Sequence, residues 1–523
     1  MSARFSLWVA LATLATAPAA ATRFDQIADS VGGEVERVWN IEGFLRVRET
    51  LRYNLDLDHG LTPSGDALFP TPPGDPAAQL LHGADMRLRL DLSAHTLGGG
   101  VGVFVRLDLL DNLSLGSTPD GIPSASVSQR PAESALRVKR AYGVALTPLG
   151  FLAAGRMGNH WGLGLISHGG DCRDCDGGDA SDRIAFITAL GGHLWALAYD
   201  FTATGPLASR PGGGPAVDVD PTDNVHTVTL AMLKSVSDAT RLRRLKADRT
   251  TVEYGLVLSH RFQDNDAPAD YLPVADAEPL QASQVMRRGF RATAVDLWAR
   301  VTLPWMRLEL EGAVLVGAIE QASLIPGVLL DGEVESLQIG VAFESDFGPH
   351  DGVIRGGFDA GYASGDPAPG FGVNPQVTDA PPKAGDLDGA QAIPGRDNRV
   401  DNFRFHPNYR IDKILFREIL GTITDAIYVR PHLRWEIATI GPGTLHFDFA
   451  GVMSWAADSA STPGGTQALG IELDPSLEYQ TRDGFGIGVD YAVLFPLSGL
   501  DNGVAGISAA PAQLTRFWVS YAF

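Results

Sequence analysis

Apolar and polar residues alternate along most of this chain. Over residues 41–56 the odd positions include Ile41, Leu45, Val47, Leu51, Tyr53 and Leu55, and the even ones include Glu42, Arg46, Arg48, Thr50, Arg52, Asn54 and Asp56. The pattern repeats with Leu88, Leu90 and Leu92 against Arg87, Arg89 and Asp91. It recurs with Met306, Leu308 and Leu310 against Arg307, Glu309 and Glu311, and with Phe485, Ile487, Val489, Tyr491, Val493 and Phe495 against small residues and Asp490. A period of two gives each segment one greasy face and one ionised face, which is the pattern of strands and not of helices. Eighteen such segments run from 41–55 to 514–523, with sixteen as the alternative count. Most have the length of a tilted membrane-spanning strand.

A soluble sandwich also alternates, so the connections decide between the two. Short turns such as Leu97–Gly100, Thr147–Gly150, Gly191–Gly192, Pro304–Trp305, Gly441–Gly443 and Arg482–Asp483 alternate with long loops at 56–83, 112–135, 158–182, 204–223, 264–289, 321–332, 365–422, 458–468 and 498–513. Turns at one end and loops at the other are the signature of an outer-membrane barrel. The predicted fold is all-β: a transmembrane antiparallel up-and-down β-barrel with short periplasmic turns and long extracellular loops. One connection departs from the scheme, because 236–249, with Arg241, Arg243, Arg244 and Lys246, is too long for a periplasmic turn.

The chain ends supply the compartment. Residues 1–21 carry Arg4, an apolar run from Phe5 to Leu14 and small residues at Ala17, Ala19 and Ala21, which reads as a signal peptide. The last strand ends Phe517-Trp518-Val519-Ser520-Tyr521-Ala522-Phe523, with apolar side chains at alternate positions. It resembles the C-terminal signal read by the barrel-assembly machinery, so that machinery is an expected partner through Phe523. The expected location is the outer membrane of a Gram-negative bacterium, among its lipid and lipopolysaccharide, with a homotrimer as one candidate assembly. Residues 22–40 are expected to form a periplasmic N-terminal segment, with a helix within Phe24–Val38, and 41–523 the barrel.

Composition excludes alternatives. With 45% apolar and 20% charged residues the chain is too apolar for disorder, and a formal charge of −21 argues against nucleic acid as a partner. Two cysteines are too few for a disulfide scaffold.

Three stretches carry a family likeness: Tyr53-Asn54-Leu55-Asp56-Leu57, the run from Asp111 to Asp120, and Gly155-Arg156-Met157 with His160-Trp161-Gly162-Leu163-Gly164. On these the chain resembles an uncharacterised family of porin-like bacterial outer-membrane β-barrel proteins. The resemblance implies the architecture and brings no activity with it.

A barrel of sixteen to eighteen strands leaves an aqueous lumen. The ionised face must line it, since an Arg facing mid-bilayer lipid costs about 2 to 4 kcal/mol. The inward set of the first strands is basic: Arg46, Arg48, Arg52, Arg87, Arg89, Arg106, Arg137, Lys139 and Arg156. That of the last strands is acidic: Asp448, Glu472, Asp474, Glu478 and Asp490. Closure should bring the two arcs into one lumen. Arg140 lies on the lipid parity with Val138 and Tyr142, so a bulge or a rim position is required there.

The loop 158–182 is expected to form the constriction, by analogy with general porins, through His160, Trp161, His168 and Arg173. Within it Cys172 and Cys175 are expected to pair as a local disulfide. A thioredoxin-like reading lacks its βαβ setting and a zinc site lacks finger spacing. Asp171, Asp174, Asp176 and Asp179 offer oxygens for Ca²⁺, although not at EF-hand spacing. The loop 365–422 ends in Ile411, Ile414, Leu415, Phe416 and Ile419, spaced for a short helix that caps or plugs the mouth or lies over the rim. No nucleophile elbow, HExxH or phosphate loop is found, and no enzyme is expected. The functional expectation is a porin-like channel for passive diffusion of small polar or charged solutes. The alternative is a structural, ligand-binding or partner-binding barrel with a closed lumen.

Overall fold

The computed structural model describes residues 23–31, 38–75, 78–116, 136–267, 282–323, 327–349, 351–368, 370–371, 383–386, 392 and 397–523. The signal-peptide segment 1–21 and residues 117–120 of the second likeness stretch lie outside them. Eighteen strands form one closed antiparallel sheet. They are β1 (Trp39–Tyr53), β2 (Leu80–His95), β3 (Val101–Ser114), β4 (Arg137–Thr147), β5 (Gly150–Gly158), β6 (Ala180–Leu190), β7 (His193–Ala203), β8 (Val225–Lys234) and β9 (Thr251–Asp266). The second half is β10 (Met286–Leu303), β11 (Met306–Ile319), β12 (Val334–Phe347), β13 (Ile354–Ala363), β14 (Ala426–Ile440), β15 (Gly443–Ala456), β16 (Ala468–Thr481), β17 (Phe485–Pro496) and β18 (Ala512–Ala522). Each pairs with its neighbours in sequence, and β1 closes the ring on β18 through partners such as Val47 and Val519. Closure leaves no sheet edge, so every strand can satisfy its backbone without water.

The period of two sets the facing. Outward positions such as Ile41, Leu152, Ile184, Leu297, Leu310, Val316, Ile487 and Phe517 are exposed to the surroundings. Such an apolar skin is stable against lipid and not against water. Inward positions carry the charges, and the parity shifts locally where the register slips. In β4, Arg140, Tyr142 and Val144 all face inward while Val138 faces out, because the pairing with β3 slips between Arg106 and Leu107. This is the bulge that Arg140 requires, and it carries Tyr142 inward too, against the simple parity.

The overlong periplasmic connection contains helix α2 (Asp238–Lys246), started by Ser237, whose side chain accepts from the Thr240 N–H. Its Arg241 reaches into the lumen wall, 2.8 Å from the buried Glu253 carboxylate.

The bore is filled in two places. A short helix, α1 (Phe24–Asp29), stands inside the barrel and not apart in the periplasm as its position before the first strand suggested. Phe24, Ile27, Ala28 and Val31 pack on an inner wall of Tyr142, Val144, Ala153, Ala185, Ile187, Ala196, Ala198, Ala231 and Leu233. Small and apolar residues at inward positions make this wall, and the helix hides it from water. On the far side the end of the 365–422 loop turns inward. Phe403, Phe405, Tyr409, Ile411, Ile414, Leu415, Phe416 and Leu420 pack on Ala342, Ala363, Ala426, Ala456, Ala492, Leu494, Ala512 and Leu514. The expected helix is a five-residue π-helical turn, Leu415–Ile419.

Candidate functional site: the loop-filled lumen

The inward arginines of β1 to β4 hold the loop 158–182 by its backbone. Arg140 donates to the Gly169 carbonyl at 2.5 Å, Arg89 to Gly170 at 2.7 Å, and Arg46 to Arg173 at 2.7 Å. Arg87 donates to Cys175 at 2.5 Å and to Asp176 at 2.7 Å. Four guanidinium groups thus meet five carbonyls along one stretch of loop. Their remaining donors go to strand carboxylates: Arg89 to Asp108 at 2.7 Å, Arg87 to Asp111 at 2.7 Å, and Arg46 to Asp85 at 3.1 Å. Arginine suits this role because its planar fork serves two acceptors at once and stays charged when buried.

Of the four acids that offer oxygens for Ca²⁺, three face arginines. Asp171 pairs with Arg106 and Arg140, Asp174 with Arg48, Arg410 and Arg417, and Asp176 with Arg48 and Arg410, while Asp179 lies 3.3 Å from His406. Among the described residues no group of three or more His, Cys, Asp or Glu is arranged to hold a metal ion. Burial alone would raise the Asp174 carboxyl, but Arg417, Arg516 and Arg410 outweigh it and hold the group well below the usual carboxylate range. Cys172 and Cys175 are joined in a disulfide, with Cα atoms 5.2 Å apart.

A second anchor holds the start of the same loop. Glu311 on β11 accepts the backbone N–H groups of Leu163, Gly164, at 3.0 Å, and Leu165, at 3.2 Å. Asp296 on β10 accepts the Trp161 indole N–H at 3.1 Å. The loop bends around the carboxylate through Gly162 at φ +53°, where an added Cβ would stand 2.3 Å from a Glu311 oxygen. Between the two anchors His160 and His168 meet edge to face at 4.9 Å, and His168 stacks on His406 at 5.6 Å. Burial, and then the neighbouring His168, pushes His160 down to about 4; burial and His406 do the same to His168. Each ring accepts a backbone N–H at Nδ1, from Gly169 and Gly170 respectively, as a neutral imidazole can.

The acidic arc is covered in its turn. Glu472 on β16 accepts the N–H groups of Lys413 and Ile414 at 2.8 Å and Leu415 at 3.0 Å, which fixes the π-helical turn. Lys413 pairs with Asp490 at 3.1 Å. Asp448 and Glu478 lie 3.7 and 3.8 Å from Arg434, and Asp474 is buried beside Glu472. The two arcs therefore do not face each other across open water: each is overlaid by a loop, and the loops are tied together. Arg410 donates to the Asp174 carbonyl at 2.5 Å, Arg417 sits 2.6 Å from the Asp174 carboxylate, and Asn408 donates to the Gly177 carbonyl at 3.0 Å. From the wall, Arg52 and Arg516 both reach Glu418, at 2.9 and 3.2 Å.

Two of the basic residues stand apart. Arg137 is 65% exposed, 3.4 Å from Asp111, and Arg156 is 51% exposed, in a pair with Asp182 at 2.7 Å near the long-loop end of β5. Lys139 points in, 2.6 Å from Asp111. Sequence reasoning missed Arg410, Arg417 and Glu418, which sit in a long loop with no periodic frame. It placed Glu311 on the polar face without a role, although the run Trp161-Gly162-Leu163-Gly164 nearby signals a backbone able to wrap an anion.

Two cavities flank the interlocked loops. One of about 760 Å³ is lined by Lys139, Asn159, His160, Trp161, Arg183, Asp200, Thr227, Arg261 and Asp296, and reaches the long-loop ends of β5 to β9. The other, of about 470 Å³, is lined by Asp346, Arg355, Arg410, Arg417, Arg430, His432, Arg434 and Asp448, toward the short-turn ends of β12 to β16.

No protein-family model matches the chain, and no curated protein sequence matches it. Among solved structures it is similar to Pseudomonas aeruginosa OpdK crystallised with vanillate, at 12% identity and a TM-score of 0.45, covering 94% of this chain and 100% of that one. It is likewise similar to P. aeruginosa OccK5 (OpdH), at 11% identity and 0.46, covering 94% and 99%, and to Acinetobacter baumannii OccAB2, at 11% and 0.46 with the same coverage. The architecture rests on the chain's own closure and apolar skin: it is a closed antiparallel β-barrel with the outer face of a membrane-spanning protein.

Proposed function

We propose that this barrel is an outer-membrane channel for passive diffusion of small polar or charged solutes, and that its lumen loops, not the width of its bore, set what passes. The observation that carries this is the pair of cavities on opposite sides of the interlocked loops. Both are lined by ionisable and hydroxyl groups, which replace part of a solute's hydration along the way. A bare structural barrel has no use for polar vestibules at both ends. The buried arginines of the basic arc, with Glu472 and Asp490 of the acidic one, act here as loop holders, and selectivity falls to the charges left facing the cavities, Arg183, Arg261 and Asp200 outside and Arg355, Arg434 and Asp448 inside.

The second reading, a closed barrel that binds a ligand or partner through its loops, is supported by the two apolar clusters that fill the bore. Single-channel recording in a planar bilayer separates the two. Discrete ohmic steps, with an ion preference shifted toward cations by neutralising Arg355 and Arg434, support the channel. Silence after insertion verified by protease protection refutes it.

A further inference from the structure

The short-turn rim of the barrel bears one feature that the channel does not use. Its other connections are small: 96–100, 148–149, 191–192, 304–305, 348–353, 441–442 and 482–484 carry no more than one charged residue of each sign. The connection between β8 and β9 instead builds α2 and is strongly basic. Arg241 is committed to the lumen side by its pair with Glu253 and donates to the Val236 carbonyl at 3.1 Å. At 100° per residue Arg243 and Lys246 then project from the opposite side. Arg243, Arg244, Lys246 and Arg249 are all exposed, and among the described residues none has a carboxylate within ion-pair distance. Lys234, at the end of β8, is exposed as well, its ammonium 5.8 Å from the Tyr254 ring. Against these five cations, the acid within 234–250 that has no ion pair among the described residues is Asp248, in a chain whose formal charge is −21.

The neighbours of this patch place it at the membrane surface. In strand order it lies between the turns that follow Leu190 and precede Met306, and Leu190 and Trp305 there are 69% and 55% exposed. Apolar turn residues and an exposed Trp mark the depth at which a bilayer gives way to headgroups. Cations held just outside that depth meet phosphate.

We propose that α2 and Lys234 form a binding surface for anionic phospholipid in the periplasmic leaflet, the lipid phosphates taking the place of the missing carboxylates. This goes beyond the channel reading and needs only the orientation of the barrel. Each surface cation is worth roughly fivefold in attraction to anionic lipid, so four of them acting together give a preference far above tenfold.

Native mass spectrometry of the full-length protein tests it, after extraction into a mild detergent with equal amounts of phosphatidylglycerol and phosphatidylethanolamine. The wild type should retain phosphatidylglycerol at least tenfold over phosphatidylethanolamine, with the preference falling as salt is raised. The variant R243Q/R244Q/K246Q/R249Q should lose it, while R287Q at the opposite rim keeps it. Heat-modifiable gel migration establishes that each variant is folded. Equal retention of the two lipids by the wild type, or an unchanged preference in the quadruple variant, overturns the proposal. So does capture of an acidic periplasmic protein on α2 that persists when phosphatidylglycerol is absent and leaves no lipid preference when it is present. Conductance measured in neutral phosphatidylcholine reports separately on the channel.

Discussion

Replacing Arg87 by Gln isolates the force that holds the loop 158–182. The Arg87 side chain is 0% exposed and makes three short charge-assisted hydrogen bonds, two of them to the loop carbonyls of Cys175 and Asp176. A hydrogen bond to a charged group contributes about 1.5 to 3 kcal/mol, so the two loop bonds bound the loss at about 3 to 6 kcal/mol. A glutamine amide keeps one donor pair at shorter reach, and Arg46 and Arg140 still hold neighbouring carbonyls. The net cost to loop docking should therefore be about 2 to 3 kcal/mol, or about 30- to 150-fold in the population of undocked loop. Asp111 keeps Lys139 at 2.6 Å, so the strand wall is not left with an unpaired acid. Hydrogen exchange reads the change at the Cys175 and Asp179 amides, whose acceptors, the Cys172 and His168 carbonyls, lie within the same loop. Both should exchange about 30- to 150-fold faster in R87Q while β11 amides are unmoved. R137Q is the control, because Arg137 is 65% exposed and touches no loop carbonyl among the described contacts. Protection in R87Q within threefold of wild type, or an equal loss in R137Q, would refute the view that the buried arginines act as loop holders.

Acidification should loosen the same loop. His160 and His168 are pushed down to about 4 from an ordinary 6.5, so an undocked loop binds more protons than the docked one between those values. Docking is at full strength above about pH 6.5 and weakens as pH falls toward 4, a trend that conductance noise recorded from pH 7.5 to 4 should follow and that H160N/H168N should flatten. Gly162→Ala places a methyl 2.3 Å from Glu311 at a φ of +53°. It should cost the loop about 1 to 3 kcal/mol and release the Gly164 and Leu165 amides to exchange. Ile27→Asp, at a site 0% exposed inside the bore, should expel α1 and raise single-channel conductance; conductance equal to wild type would show that α1 does not narrow the path.

The wall of this protein was legible because lipid and water impose opposite demands on adjacent residues. Val47 and Arg48 cannot exchange faces without exposing an ion to hydrocarbon, so alternation is enforced residue by residue and strands stand out at sight. One break was visible as well, since Arg140 on a greasy parity could be accommodated only by a slip in register, and the slip is there between Arg106 and Leu107. The two connections that looked wrong were also informative: 236–249 contains a helix, and the apolar end of 365–422 lies inside the bore.

What fills the lumen was hidden for a physical reason. An inward position that meets water must be polar, but one that meets another part of the chain need only be small. Ala342, Ala426, Ala456, Ala492 and Ala512 satisfy the second condition and look neutral under the first, so they give no sign of the Phe405 and Ile414 side chains that press on them. The charged arcs hide their role in the same way. Arg46, Arg87 and Arg89 read as a pore lining because sequence shows where a side chain points and not what stands in front of it. Their partners are backbone carbonyls, which every residue possesses and no sequence pattern advertises. A cue does exist in combination: glycines at 169 and 170, a stiffened Cys172–Cys175 turn and alternating aspartates make a loop rich in accessible carbonyl and carboxylate oxygens, opposite a wall with more guanidinium donors than its own acids can use. Donor surplus on one element and acceptor surplus on another is a contact condition, and here it is the condition that sets how much of a wide barrel is left open.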